Sequence, residues 1–435
     1  MTIVQITPGA GGMYCGNCFR DNALVAALNR KGHRATMIPL YLPLKLDELD
    51  QSQGMPIFFS GINVYLEQIF PLFRRSPQWL HDLMASSWLL KRAAGMTART
   101  NPRQLGSLTH SMLQGETGNQ AREVEELAAW LRQQPGCDVI CLSNALLIGM
   151  ARRLRSEARA PVVCMLQGED SFLDALPEPW RKRCWDTLSE RMREADLLVA
   201  PSHYYACEMS RRLNLPEERI KVVHNGISLQ GYQPPTQWPD PPVLGYFARM
   251  CREKGVDRLV GAYLKLRNRN KIPGLRLRIG GGLGPSDTPL VNSLKDRLES
   301  AGYGSDVEFH PNLSRQEKAN FLSSLSILSV PALYGEAFGL YVLEAWASGT
   351  PVVAPDHAAF PELIRSSGGG RLFDPEDPDD LPKVLEELLL QPELAHQLGK
   401  AGRQSVEQGF SVDHMADNFL RILQSLKSSC HGLRL

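Results

Sequence analysis

What most constrains the fold of this chain is one alternation, met twice: short apolar strand, loop, helix, strand. Ile3-Val4-Gln5-Ile6 is apolar and breaks at Thr7-Pro8-Gly9-Ala10-Gly11-Gly12. A helix is expected from about Asn17 to Arg30, with Leu24, Val25 and Leu28 on one face and Gly32 as its stop. Ala35 to Leu40 reads as the next strand. Strand, glycine loop, helix, strand opens a βαβ unit, and a helix-long crossover implies a parallel sheet. Further strands are expected at Asp138–Leu142, Val162–Leu166 and Leu197–Ala200. Between about residues 45 and 132 the pattern is long and largely helical, with aromatics at Phe58, Phe59, Tyr65, Phe70, Phe73, Trp79 and Trp88. It is too long for a crossover and reads as a helical insertion.

The alternation restarts after Gly231–Pro242, a proline-dense stretch read as a linker. Strands are expected at Val243–Phe247, Leu275–Ile279, Val307–Phe309, Ile327–Val330 and Val352–Ala354. At 435 residues the chain is too long for one compact core and suits two domains. The expected class is α/β, with two Rossmann-like doubly wound domains facing a cleft: residues 1–230 with the insertion at about 45–132, a linker at 231–242, and residues 243–410. The remainder, 411–435, carries an amphipathic helix at about Met415–Lys427, expected to pack back on the N-terminal domain. In such folds ligands bind at the carboxyl ends of the strands.

Charge and composition narrow the function. A formal net charge of +1 argues against a dedicated nucleic-acid binder. Apolar content of 43% and charged content of 22% indicate an ordinary globular chain. No run approaches the ~18 apolar residues of a membrane span, and the start shows no basic segment followed by an apolar one, so no signal peptide is visible. Nine scattered cysteines, an odd number, suit a reducing compartment better than a disulfide framework, so a cytoplasmic location is expected.

Chemistry concentrates in Tyr334-Gly335-Glu336-Ala337-Phe338-Gly339-Leu340-Tyr341-Val342-Leu343-Glu344, followed by Ala345 to Val353. The segment reads loop, helix, stop, buried strand. A helix starting near Leu340 places Glu344 one turn in, on the face of Leu340, with Glu336 in the loop ahead. Gly339 lets the backbone approach a ligand, and unpaired amides at a helix start favour an anion. An anion seat flanked by two carboxylates suits a ligand with both phosphates and hydroxyls. An isolated glutamate pair would more simply be an acid balancing a helix dipole; the company this one keeps reverses that reading.

The segment resembles the E-x7-E motif of the retaining glycosyltransferases of family 4, which have the GT-B architecture. Other stretches resemble the family's elements in the same order. Val199-Ala200-Pro201-Ser202 is one, and Val222-Val223-His224-Asn225-Gly226-Ile227 is similar to its "V-x-N-G-I" turn. Leu244 to Met250, with Lys254-Gly255, resembles "Y-x-G-R…K-G". Leu277 to Gly282 resembles "L-x-I-x-G-x-G", and Gly370 to Pro375 a later element. The GINVYLEQIFPLFR stretch is similar to a bacterial subgroup related in layout to sucrose-type enzymes. The resemblance spans residues 1 to about 425 and is weakest across the helical insertion.

It implies a nucleotide diphosphate sugar donor, a carbohydrate, lipid-linked or small-molecule hydroxyl acceptor, and retention of anomeric configuration. It also implies that no metal or other cofactor is required. Arg249 and Lys254 would hold the donor diphosphate, since the leaving group's charge must be neutralised. The amides of Phe338, Gly339 and Leu340 would meet the sugar and phosphate. Glu344 would accept from the ribose hydroxyls, and Glu336 would contact the donor sugar near its reacting face. Gly11 and Gly12 would bring first-domain amides to the same phosphates or to the acceptor.

The chain departs from the family pattern at several places. Gln167-Gly168-Glu169-Asp170 stands where many relatives carry histidine. Glutamine cannot be a general base but can hydrogen-bond a sugar, so Gln167 is the expected acceptor or sugar contact. Ala248 and Ala358-Ala359 stand where glycines are common, and Ser228 replaces a frequent aspartate. Cys15-Gly16-Asn17-Cys18 has redox or metal spacing but no matching second pair, and is discounted. Phe73 to Arg92 is basic and aromatic at helical spacing; peripheral contact with anionic lipid is one reading, and a helix packing on its own domain is the plainer one. Oligomeric state is not legible. Two other functions compete with the transferase. A non-catalytic nucleotide-sugar or glycan binding module would not need Glu336, Glu344, Arg249 and Lys254 intact. The other is a phosphorylase or epimerase on the same architecture, and a pyridoxal phosphorylase would need a Schiff-base lysine in a matching context.

Overall fold

The computed structural model describes residues 1–9, 16–44, 46–70, 72, 73, 76, 77, 81, 84 and 102–431. The chain forms two compact units, Met1–Val223 with Ala416–Leu435, and His224–Met415.

The first unit is built on a parallel sheet of β1 (Thr2–Pro8), β2 (Arg34–Leu40), β3 (Val139–Leu142), β4 (Val162–Met165), β5 (Leu197–Ala200) and β6 (Ile220–Val222), in the order β2-β1-β3-β4-β5-β6. Every residue of β3 and β4 is buried, as expected for strands covered on both faces, and this is why they read as unbroken apolar runs. The crossover from β1 to β2 is the helix Gly16–Arg30, with Leu24, Val25 and Leu28 buried and Gly32 left-handed at its exit (φ +83°). Between β2 and β3 lie helices Gly61–Ile69, Pro102–Gln114 and Ala121–Gln133. Much of residues 74–101 lies outside the described residues, and with it the basic residues Arg74, Arg75 and Arg92 and the tryptophans Trp79 and Trp88. So do Gly11, Gly12 and Cys15. Cys18 is buried, with its thiol 3.2 Å from the Pro8 carbonyl.

The second unit repeats the scheme with β7 (Val243–Phe247), β8 (Arg276–Gly281), β9 (Val307–Pro311), β10 (Ile327–Ser329), β11 (Val352–Pro355) and β12 (Gly370–Phe373). These strands are also parallel, in the order β12-β11-β10-β7-β8-β9. Counted within the unit this is the 3-2-1-4-5-6 order of dinucleotide-binding folds, and its direction reverses between β7 and β10, where Leu244 pairs with Ile327. The crevice outside the carboxyl ends of those two strands is where such a sheet takes a ligand.

The division between units falls at Val223/His224, ahead of the proline-dense stretch. Tyr232, within that stretch, is 1% exposed in the second unit's core beside Trp346 and Phe360. The last helix, Val412–His431, belongs from Ala416 onward to the first unit, where Asp417 pairs with Lys31 at 2.7 Å. No helix among the described residues is long and apolar enough to cross a membrane.

Candidate active site

The site is assembled in the second unit by backbone contacts that only glycine permits. Beyond β7 the chain runs on along the glycine stretch ending β8: Ala248 N donates to the Gly280 carbonyl at 3.3 Å and Met250 N to that of Gly282 at 2.9 Å. Gly281, between them, has φ +122°, and a Cβ there would stand 2.0 Å from the Ala248 carbonyl oxygen. The stretch thus seats the loop that carries Arg249. The Arg249 guanidinium is 60% exposed and grips Asp287, Nε to Oδ2 at 2.8 Å and Nη2 to Oδ1 at 3.2 Å.

The same loop continues through a tight turn, Arg252–Lys254, to Gly255. Gly255 is left-handed (φ +73°), and a Cβ would fall 1.9 Å from the Pro331 carbonyl oxygen just beyond β10. Leu333 N also donates to the Glu253 carbonyl at 2.9 Å. The loop after β7 is therefore fastened to the chain leaving β10, which brings Lys254 to Glu336.

Lys254 Nζ is hydrogen-bonded to Glu336 Oε2 and lies 4.8 Å from the ring centre of Tyr334 and 5.5 Å from that of Tyr341. The Tyr341 hydroxyl donates to the same Glu336 oxygen at 3.0 Å. Burial alone would make Lys254 give up its proton more easily, but the Glu336 carboxylate and Tyr334 outweigh it, and the net effect holds the ammonium charged beyond the usual lysine range. The Tyr334 hydroxyl is pushed up to about 12, by burial first and the Glu336 charge second. The cluster is a partly desolvated cation beside one carboxylate and two phenols.

Past Glu336, Phe338 is buried and Gly339 turns left-handed (φ +91°) to start the helix Leu340–Ala347. A left-handed cap turns the chain sharply into the helix; a helix start leaves its first amides without an i−4 partner, and here Val342 N donates back to the Gly339 carbonyl at 3.0 Å. Glu344, one turn in, receives Lys318 Nζ at 2.7 Å and the Tyr232 hydroxyl at 3.2 Å, both on Oε1. The chain after β11 closes against this loop, with Ala359 N donating to the Glu336 carbonyl at 3.3 Å and His357 Nε2 3.1 Å from the Ala332 carbonyl oxygen.

Gln167 belongs to the first unit, at the carboxyl end of β4. Its backbone N donates to Glu169 Oε2 at 2.8 Å, while Glu169 Oε1 accepts from the backbone N of Ala145, beyond β3, at 2.7 Å. The Tyr205 hydroxyl bridges Glu169 and Asp170 at 3.0 and 2.9 Å. Burial raises both carboxyls above their ordinary values.

Sequence reasoning named Arg249, Lys254, Glu336, Phe338, Gly339, Leu340 and Glu344, and all sit on the segments following β7 and β10. It missed Asp287, Tyr334, Tyr341, Lys318 and Tyr232, which hold them. Only Tyr334 and Tyr341 had a local signal, as aromatics flanking Glu336. A separate group in the first unit could ligate a cation: Glu67, His81 and Glu123 are buried on the segment between β2 and β3, with ligand atoms within 4.8 Å of one another.

Comparison with known proteins agrees with this architecture. The family model described as "Glycosyl transferases group 1" matches residues 233–405, and "Glycosyltransferase Family 4" matches residues 102–230. The chain belongs to the family 4 glycosyltransferases. Its relatives include a D-inositol 3-phosphate glycosyltransferase of Streptomyces coelicolor, 26% identical over 93% of this chain and 96% of the relative. The enzyme of the same name from Streptomyces scabiei is 28% identical over 72% of this chain and 71% of the relative. Among solved structures, sucrose-phosphate synthase from Thermosynechococcus elongatus superposes with a TM-score of 0.72 at 18% identity, covering 99% of this chain and 100% of the other. Anabaena HepE in complex with UDP-glucose gives 0.66 at 17% identity, covering 98% and 100%. At those identities the structures speak for the GT-B fold. This glycosyltransferase therefore carries its charged cluster at the switch point of the family's second Rossmann-like sheet.

Proposed function

We propose that this glycosyltransferase moves a sugar from a nucleotide diphosphate donor to a hydroxyl acceptor, with retention of configuration and without a required metal. The observation that carries the reading is the meeting of Lys254 and Glu336 beside the left-handed cap at Gly339, at the reversal point of the second sheet. A departing pyrophosphate needs its growing charge neutralised. Lys254, Arg249 and the first-turn amides of the helix at Leu340 supply that from the protein itself, each worth roughly a few kcal/mol in a closed site.

In this reading Glu336 contacts the donor sugar near its reacting face and Glu344 takes the ribose hydroxyls. The bond from the anomeric carbon to the phosphate oxygen breaks as the acceptor oxygen approaches the same face. The leaving phosphate oxygen collects the acceptor's proton, so no protein base is needed on that face. Gln167, in the first unit, donates and accepts hydrogen bonds to sugar hydroxyls. The relatives' name makes D-inositol 3-phosphate one acceptor to include in a panel with glycans and lipid-linked sugars.

The test is transfer or donor hydrolysis by purified protein over a panel of UDP-, GDP- and ADP-sugars, beside Glu336→Gln and Lys254→Ala. Turnover lost in both variants is expected, with the product anomer identified by NMR. A wild type that binds a nucleotide sugar and turns over none of the panel would instead make this a binding module. Activity should survive EDTA; loss restored by manganese would overturn the metal-independent part.

A further inference from the structure

Glu344 is gripped from one side. Lys318 Nζ and the Tyr232 hydroxyl both bond Oε1, at 2.7 and 3.2 Å, and among the described residues none donates to Oε2. Lys318 is only 6% exposed, an expensive place for an ammonium unless its partner is fixed there. The scaffold around it is fastened by its own contacts. Lys318 sits on the helix Arg315–Ser323, which starts with a reciprocal capping box between Ser314 and Glu317. Arg315 on that helix donates to the Ser228 and Gln230 carbonyls at 3.2 and 3.0 Å and lies 5.4 Å from the Tyr232 ring centre. One helix start therefore places both groups that hold Glu344.

We propose that Lys318 is a positioning residue that gives the donor site its preference for ribonucleotides over 2′-deoxyribonucleotides. It occupies Oε1 and turns Oε2 toward the ligand, where that oxygen accepts from the vicinal hydroxyls of the pentose. A carboxylate free to rotate would lose that alignment and take water instead. A site built to hydrogen-bond a hydroxyl rejects the analogue lacking it, because its polar atom is left unmatched. The inference rests on the reading above that Glu344 meets the ribose.

The experiment is calorimetric titration of the full chain with UDP, GDP and ADP, each beside its 2′-deoxy form, continued with the pair whose ribo member binds tightest. Wild type is expected to favour the ribo form about tenfold or more. Lys318→Met should bring the two forms within about twofold, and Lys318→Arg should keep part of the difference. In turnover, Lys318→Met should raise the donor KM while kcat changes little. Should Lys318→Met fail to fold, Tyr232→Phe and Lys318→Arg provide the graded loss. Full discrimination in Lys318→Met alongside its loss in Glu344→Gln would overturn the role of Lys318. Discrimination unchanged in Glu344→Gln would instead overturn the ribose reading beneath it.

Discussion

The chain leaving β7 and β10 carries cations matched to carboxylates, whereas the chain leaving β3 and β4 carries buried carboxyls matched to neutral donors. Arg249 is 60% exposed on Asp287, and Lys254 faces Glu336 among phenols. Arg20, on the helix after β1 of the first unit, is 3% exposed and holds Asp21 and the Ser143 carbonyl. Glu169 there is satisfied by the amides of Ala145 and Gln167 and by the Tyr205 hydroxyl. A cation in an ion pair can exchange its partner for a phosphate at little cost. A buried carboxyl held by neutral donors cannot move without stranding them. The second sheet's end carries charges that an anion could re-pair, as the proposed donor site requires, and the first sheet's end carries carboxyls already satisfied by neutral donors.

The largest expected effect tests that contrast directly. Lys254→Ala should lower kcat/KM about 10²- to 10³-fold in steady-state donor kinetics, the scale of losing a charge-stabilising donor. Gln167→Ala should cost less than about tenfold. Equal losses would erase the distinction between the two ends.

The glycine framework comes next. Gly255→Ala combines a left-handed φ with a Cβ driven into the Pro331 carbonyl, and is expected to cost roughly 2–4 kcal/mol in denaturant unfolding. Gly32→Ala has a similar φ (+83°) but nothing within 4 Å, and should cost only about 1 kcal/mol. Similar losses would show that the fastening to β10 contributes nothing.

A third test separates the first unit's buried carboxyls by pH. Glu123 is pushed up to about 8, by burial first and then by the charges of Glu126 and Glu67, and His81 shares its pocket. Its folded-state value lies above its ordinary value of 4.5, so the folded chain holds a proton the unfolded chain releases. That stabilisation is present in full below about pH 4.5 and is lost as pH rises through about 8. Glu123→Gln should flatten the decline in unfolding free energy across that window, by up to about 5 kcal/mol at its upper end. An unchanged slope would refute the assignment.

The smallest effect concerns a departure from the family pattern. Ala358, expected from the family resemblance to be a place for glycine, holds a left-handed φ of +55°. Ala358→Gly should relieve that strain and leave stability unchanged or raised by up to about 1 kcal/mol, measured by thermal melting. A clear loss would mean that the methyl group packs productively.

The inner strands of both sheets were legible because parallel strands covered on both faces need uninterrupted apolar runs, and Val139–Leu142 and Val352–Pro355 are such runs, whereas the edge strands Ile220–Val222 and Gly370–Phe373 were not expected. The reactive segment was legible because glycine, two glutamates and a helix start fall within one short window. The proline-dense stretch was misleading: prolines signal a linker, yet Tyr232 anchors it in the second unit's core. The partners of the charged residues were not legible at all. Lys254 and Glu336 are 82 positions apart, Arg249 and Asp287 38, and Tyr232 and Glu344 112.

By itself the sequence determined the alternation of strand and helix, the two-sheet plan, and which residues carry charge near the strand ends. Those follow from local periodicity and from the chemistry of single residues. Only the tertiary structure decided which carboxylate meets which cation, which phenol shares it, and which oxygen of Glu344 takes Lys318 and Tyr232. Such pairings depend on strand order and on backbone approaches of a few ångströms between distant segments, and no local pattern encodes them.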